Sequence, residues 1–308
     1  MKAQKFIISI LFCAALGFTA CGAAGSAAKA GPQLVVFQSD FGLKDGAVSA
    51  MKGVAMGVSG SLKLFDLTHE IPPYSIWDAA YRLYQTAEYW SPGTVFVSIV
   101  DPGVGTERLS VVLKTKSGHY FVTPDNGTLT LVAEKFGIEE VRQIDEAVNR
   151  RKDSEKSYTF HGRDVYAYTG ARLASGAITF EQVGQKLPAQ VEKIPYEKAR
   201  LEGATLFGAI PALDIQYGNV WTNIARETAQ GLNIETGSLW TVEIFEGGKP
   251  VFKDVIPFAN SFGDVPEGKN LMYYNSLDSL SFAINMDDFA TTYNIGYGGE
   301  WSVRITKQ

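Results

Sequence analysis

The sequence predicts an α/β fold: an N-terminal, mainly parallel, helix-flanked sheet of Rossmann-like kind, followed by an all-β barrel or sandwich. Three observations lead there. Through the first half of the chain, β-rich runs alternate with stretches of helical spacing, as in sheets whose strands are joined by helices. Beyond the middle only short alternating runs remain, spaced like the strands of a small sandwich or barrel. At 308 residues, the chain is also long enough for two domains of ordinary size.

The elements follow in order. QLVVFQ at 33–38 reads as a strand closed by Ser39-Asp40-Phe41-Gly42, and 45–58 carries small and apolar residues at helical spacing. The pattern repeats with a strand at 62–67, an amphipathic helix at 76–88 and a strand at 94–100. Further strands are expected at 110–113 and 120–123. Asp125-Asn126-Gly127 is a turn signal, 129–136 a short helix, and 165–175 a longer helix stopped by Gly176. A polar connector with Pro188 and Pro195 then interrupts the alternation. It divides the chain into a leader at 1–30, an α/β domain at 31–187, a linker at 188–202 and a β domain at 203–308. Strands of the last domain are expected at 209–215, 220–224, 239–245, 251–256, 271–275, 280–284 and 300–306, with no helix among them.

The leader has two lysines in its first five residues, an almost wholly apolar run at 6–18 and an Ala- and Gly-rich end, the three regions of a secretory signal peptide. The apolar run is too short for a comfortable membrane span. Two cleavage sites are open. Phe18-Thr19-Ala20-Cys21 resembles a bacterial lipobox, which would leave Cys21 lipid-modified and the protein anchored at the cell envelope; Ala28-Lys29-Ala30 resembles an ordinary small-x-small site and a periplasmic or secreted product. Cys13 and Cys21 are the only cysteines, so the mature body has no internal disulfide, thiol nucleophile or thiolate metal site.

A net charge of −5, with no basic run beyond Asn149-Arg150-Arg151-Lys152, argues against a nucleic-acid partner. Candidate chemistry sits in two polar knots, VDPGVGTER at 100–108 and TFHGRD at 159–164. They place Asp101, Arg108 and His161 on turns that lie, by the pattern, at strand ends, where α/β sheets collect their functional groups. Singly, each has an ordinary reading: a turn cap, a surface ion pair, a satisfied structural histidine. SDFGLKD at 39–45 sits where the first strand meets the first helix, but lacks a GxGxxG cradle, and no Walker sequence appears. A nucleoside without phosphates fits better than a di- or triphosphate. Capping of the helix by Asp40 or Asp45 is the competing reading. His69, His119 and His161 have no partner at i, i+4, so no metal is expected, and no GxSxG elbow presents a serine nucleophile.

Seven strings occur in order between Ser39 and Leu280, SDFGLKD, DLTHEIPPYSI, VDPGVGTER, TPDNGTL, TFHGRDVYA, DIQYGNVWTNI and FGDVPEGKNLMYYNSLDSL, and the similarity they carry extends over nearly everything from Leu34 onward. This set resembles the S-adenosylmethionine hydroxide adenosyltransferase family, which is related to the S-adenosylmethionine-dependent fluorinase and chlorinase. The resemblance implies displacement at the ribose 5′ carbon of S-adenosylmethionine by water or hydroxide, giving adenosine and L-methionine, with no cofactor beyond the substrate. It assigns Asp101, Arg108 and His161 as the catalytic set; the chemistry of the step leads to the expectation that Arg108 polarises the water, while Asp101 and His161 orient it and accept its proton. Gly162 stands where the fluorinase has its fluoride-contacting serine.

For the substrate, the resemblance implies Asp40 on the ribose diol, Asp45 and Asp214 near the methionine ammonium, and Tyr74 and Tyr217 packing on ribose and adenine. Asn219 reads the adenine edge, and Ser276 lies near the carboxylate, followed by Leu277 where the fluorinase has arginine. The ordinary alternatives are core positions for Tyr217 and Trp221 and a turn role for Asn219. Relatives form homotrimers with sites shared between the N-terminal domain of one subunit and the C-terminal domain of its neighbour. Tyr168 and Met286-Asp287-Asp288 depart from the family pattern. Halide-dependent adenosyl transfer, and an exported S-adenosylmethionine- or nucleoside-binding lipoprotein without turnover, are the alternative functions.

Overall fold

The computed structural model describes residues 33–308; the leader, Cys13, Cys21 and both cleavage sites lie outside the described residues. The first part of the chain runs β1 (Leu34–Ser39), α1 (Ala47–Val58), β2 (Lys63–Thr68), α2 (Ile76–Thr86) and β3 (Val95–Ile99). It continues through β4 (Ser110–Thr115), β5 (Tyr120–Pro124), α3 (Thr130–Phe136), β6 (Ile138–Gln143), α4 (Glu146–Asn149), α5 (Tyr168–Ser175) and β7 (Lys186–Leu187). These strands form one seven-stranded sheet in the order β2-β1-β3-β5-β4-β6-β7.

The sheet is mixed, which corrects the expectation of a mainly parallel one. β1 pairs in parallel with β2 and β3, and β3 with β5, whereas β4 pairs antiparallel with β5 and β6, and β6 antiparallel with β7. The cause is connection length. Only Lys116–His119 joins β4 to β5, enough for a hairpin and far too short for a parallel crossover. β6 itself was not expected, because IEEVRQ carries three charges and shows little apolar alternation.

Successive residues of β1 serve two cores. Val35 and Phe37 pack with Met51 of α1 and with Val165 and Ala171 from the α5 region. Val36 packs with Leu83 of α2 and Val132 of α3 on the opposite face. The chain thus leaves β1 for β2 over one face and returns to β3, on the other side of β1, over the opposite face. The carboxyl ends of β1 and β3 therefore flank a topological switch point, the crevice in which open α/β sheets bind ligands.

The second part comprises β8 (Arg200–Glu202), β9 (Thr205–Ala209), β10 (Ala212–Asp214), β11 (Asn219–Ala225), β12 (Leu239–Glu246) and β13 (Lys249–Pro257). β14 (Asn270–Tyr274), β15 (Ser279–Ile284), α6 (Phe289–Tyr293) and β16 (Trp301–Lys307) complete it. Two antiparallel sheets result, β10-β11-β15-β14 and β13-β12-β16-β9-β8. Trp240, Val242 and Ile244 alternate inward along β12 and meet Val220, Ile224 and Phe282 of the other sheet. The barrel alternative is not met, since the strands remain in two sheets rather than one closed ring. The single strand expected at 209–215 is broken at Ile210-Pro211, where proline cannot donate to a ladder. α6 is a helix that the alternating pattern did not predict; Asp288 caps it by accepting from Thr291 N at 2.7 Å. Trp77 Nε1 of α2 donates to Pro211 O at 2.8 Å, joining the first part of the chain to the second. Among the described residues no helix is long and apolar enough to cross a membrane.

Candidate active site

The loop after β3 doubles back on itself. Val104 N donates to Asp101 O at 3.2 Å, Thr106 N to Gly103 O at 3.0 Å, and Gly105 takes a φ of 77° that favours glycine. Asn126, from the TPDNGTL block, supports the start of the loop by donating Nδ2 to Val100 O at 2.9 Å. The return brings Arg108 onto Asp101: Nη2 to Oδ2 at 2.6 Å and Nε to Oδ1 at 2.9 Å. The two side chains are 11% and 6% exposed, so this is a bidentate, nearly buried pair and not the surface ion pair of the ordinary reading. Arg108 Nη1 also donates to Ser110 Oγ at 3.0 Å, and the Tyr166 hydroxyl lies 3.1 Å from Ser110 Oγ and 3.4 Å from Asp101 Oδ2. Burial pushes the Tyr166 phenol far up, so it stays protonated.

His161 joins the pair from a distant loop. Its Nδ1 lies 2.9 Å from Arg108 Nη2, and its Nε2 lies 2.9 Å from Arg150 Nη2, which in turn is held by Glu146 Oε2 at 2.7 Å. A guanidinium can only donate. Burial moves the His161 pKa below the ordinary histidine value; Arg108 and Arg150 add to the shift, and Glu146 and Asp101 oppose it. The imidazole is therefore neutral at pH 7. Arg150, Glu146, Ser110 and Tyr166 are site residues that the motifs did not single out, and the one signal for Arg150 was its place in the short basic run. The last two residues of TFHGRD do something else: Arg163 Nη2 donates to Asp164 Oδ2 at 2.8 Å and Arg151 Nε to Asp164 Oδ1 at 2.9 Å. These three form an ion cluster of their own.

A cavity of about 360 Å³ opens on this cluster, walled by Asp40, Tyr74, Asp101, His161 and Gly162. Asp40 Oδ2 accepts from Tyr74 N at 2.9 Å, holding Tyr74 in a left-handed conformation with φ 67°, the residue 74% exposed. At Gly162 a Cβ would sit 3.1 Å from Ile99 Cγ2 and 3.3 Å from the Phe41 ring. Any side chain there would crowd the cavity floor. A wide, π-helical turn begins at Gly162 and runs into α5, so the helix starts earlier than 165 and carries the glycine into the wall.

Other expected residues lie elsewhere. Asp45 Oδ1 accepts from Ala47 N at 2.8 Å just ahead of α1, whose cap residue is Gly46, and does not line the cavity. Asp214 and Asn219 flank the β10–β11 turn and touch each other, Nδ2 to Oδ2, at 3.1 Å. Tyr217, between them, is 68% exposed, not core, whereas Trp221 is buried. Ser276 faces a second cavity of about 510 Å³ beside Arg82, Ile215 and Leu277. Within one chain, then, Asp40, Tyr74, Asp101, His161 and Gly162 share a cavity with Arg108 behind it, and Asp214, Tyr217, Asn219 and Ser276 stand apart. His69 and His119 are structural: His69 Nδ1 meets Ser39 Oγ at 2.7 Å, and His119 Nε2 donates to Trp90 O at 2.8 Å. Among the described residues no group of three or more His, Cys, Asp or Glu side chains is placed to hold a metal ion.

Fold and site together define a class: an α/β sheet joined to an antiparallel β half, with a buried Asp–Arg–His cluster and a cavity at the switch point. Models described as the N-terminal and C-terminal domains of SAM hydroxide adenosyltransferase match residues 35–184 and 208–302. The chain belongs to the S-adenosylmethionine hydroxide adenosyltransferase family. It is 40% identical over 198 residues to an (R)-S-adenosyl-L-methionine hydrolase of Methanocaldococcus jannaschii, covering 63% of this chain and 68% of that one. It is 28% identical over 301 residues to a fluorinase of Actinopolyspora mzabensis, covering 89% and 97%. A solved structure of a conserved protein from Thermotoga maritima superposes with a TM-score of 0.80 at 33% identity, covering 88% of this chain and 99% of that one.

Proposed function

We propose that this chain hydrolyses S-adenosyl-L-methionine to adenosine and L-methionine. Water oxygen attacks the ribose 5′ carbon as the carbon–sulfur bond breaks; the electron pair goes to sulfur, giving a neutral thioether, and one proton is released. The observation that carries this reading is the Asp101–Arg108–His161 cluster opening on a cavity whose opposite wall offers Asp40 and Tyr74 to a ribose. A sulfonium leaves without an acid, so the remaining work is to orient a poor nucleophile, which is worth about 7–11 kcal/mol in the best intramolecular cases. Arg108 supplies the field that polarises the water. Asp101 Oδ1, bonded by Arg108 Nε, keeps acceptor capacity toward the cavity and takes the proton. His161, with a guanidinium nitrogen at each ring nitrogen, serves as a neutral wall more than as a base. No cofactor is required by this chemistry. Gly162 offers no hydroxyl to fluoride, which counts against fluoride as the nucleophile and leaves chloride to the test below.

The separated residues Asp214, Tyr217, Asn219 and Ser276 support completion of each site by a neighbouring subunit, in a homotrimer. Tyr74, Ile215, Tyr217 and Met286 are large apolar side chains left mostly exposed by the single chain, as expected at such contacts. The switch-point placement supports the Rossmann-like reading of the first sheet, with 188–202 linking two domains. The charged, apolar and small-residue regions of the leader at 1–30 support export, with a lipid anchor on Cys21 at the bacterial envelope or, where cleavage follows Ala30, a periplasmic or secreted product.

The test is incubation of the leaderless protein with S-adenosylmethionine in oxygen-18 water. Label in adenosine, read by mass spectrometry, is the expected result. Unlabelled adenosine, 5′-halo-5′-deoxyadenosine in the presence of chloride, or tight binding without product would each sink the proposal.

A further inference from the structure

Arg150 is a nearly buried cation, its side chain 6% exposed, and its carboxylate partner Glu146 is 35% exposed. Burying a guanidinium is costly unless its donors are used. Nε and Nη2 both donate to Glu146 Oε2, at 3.2 and 2.7 Å, and Nη1 donates to Ser157 O at 3.4 Å; Nη2 also reaches His161 Nε2 at 2.9 Å, and the guanidinium carbon lies 5.2 Å from the centroid of the Tyr158 ring. His161 therefore stands between two cations, Arg108 on Nδ1 and Arg150 on Nε2. An imidazolium there would aim an N–H at a cation on each side. A neutral imidazole has one lone pair for two donors and has no reason to take up a proton.

We propose that Arg150 is a positioning residue: facing Nε2, it holds His161 uncharged between two guanidinium groups, so that the cavity wall never turns cationic toward a sulfonium substrate. The inference rests on the hydrolase reading for its substrate, but its electrostatic content concerns the protein alone. The charged and titratable groups that face His161 are Asp101 and Arg108 from the loop after β3, and Glu146 and Arg150 from α4 and its end. Tyr158 lies edge-on to the imidazole, and Tyr166 sits behind Asp101. Two of these groups are cations and two are anions. Arg150→Gln leaves one cation against two anions, and the balance tips toward protonation of His161.

The experiment is a histidine-ring NMR titration of the substrate-free, leaderless protein, the His161 signal being assigned with His161→Asn. In the parent protein His161 is expected to titrate below the free value of about 6.5. In Arg150→Gln its midpoint rises by about one unit, and in Arg150→Lys, which keeps the charge, it stays near the parent. In turnover, KM for S-adenosylmethionine in Arg150→Gln climbs as the pH falls toward about 5.5, whereas in Arg150→Lys it follows the parent. A parent midpoint at or above the free value, or an unchanged midpoint in Arg150→Gln, overturns the proposal. Should Arg150→Gln not fold, Arg150→Met, which also removes the charge, is titrated in its place, and an unchanged midpoint there overturns the proposal. Because the titration needs no substrate, the expected midpoints without adenosine formation would sink the hydrolase reading and leave this one standing.

Discussion

At the residue scale, the Asp101–Arg108 pair is the most consequential contact of the site. Removing one partner leaves the other as an uncompensated charge, which costs about 3–5 kcal/mol where the pair is buried, whereas removing both costs much less. Arg108→Met is therefore expected to lower stability by about 3 kcal/mol in urea unfolding, with Asp101→Asn/Arg108→Met recovering most of the loss. The remaining exposure of the pair, 6% and 11%, is small enough for this estimate to apply. Asp101→Asn alone keeps the shape but cannot take a proton. Adenosine formation should fall by roughly 100-fold or more while S-adenosylmethionine still binds, as isothermal calorimetry would read. Equal turnover by the two proteins would remove Asp101 from its role.

At the element scale, two structural devices hold the site segments in place. Asp164 accepts from both Arg151 and Arg163 and ties the connector after α4 to the turn that enters α5. Burial alone would raise its pKa, but the two guanidinium bonds outweigh it and hold the carboxyl below the usual range. A lowered folded-state pKa means that the unfolded chain binds the proton first. Its stabilisation is complete above the ordinary carboxylate pKa and is lost as the pH falls through the depressed value. The melting temperature should thus drop less between pH 7 and pH 3 in Asp164→Asn than in the parent, from a lower starting point. The second device is Gly218, with φ 67°, whose Cβ would collide with the Asp288 carboxylate that caps α6. Gly218→Ala should cost about 2 kcal/mol by strain and overpacking, and should loosen the turn that carries Tyr217 and Asn219. An unchanged unfolding midpoint would show that the turn and α6 are not braced against each other.

At the scale of the whole molecule, the single chain presents its site residues in separated groups, which the proposed trimer would reunite. Co-expression of a variant dead in the first group, Asp101→Asn, with one dead in the second, Asn219→Ala, is expected to restore part of the activity. Neither variant should do so alone. Failure to complement, together with a monomer in sedimentation, would confine the site to one chain. Activity per mole should also fall on dilution below the dissociation range of the assembly.

The sequence alone carried the α/β-then-β order, most strand positions, the family and the three residues of the cluster. These are local signals: periodicity, turn residues and motif strings each report on a few neighbours along the chain. What it left undecided depends on contacts distant in sequence. The antiparallel half of the first sheet follows from a short hairpin and from β6, a strand whose charged face hides its period. The open, two-sheet form of the second part depends on which strands close a ring, and no single strand records that. Arg150 became part of the site only when folding set it against an imidazole eleven residues away, on the side opposite Arg108. Tertiary structure also showed that His161 is boxed in by cations, because the charge state of a buried group is set by everything packed around it and not by the motif in which it is written.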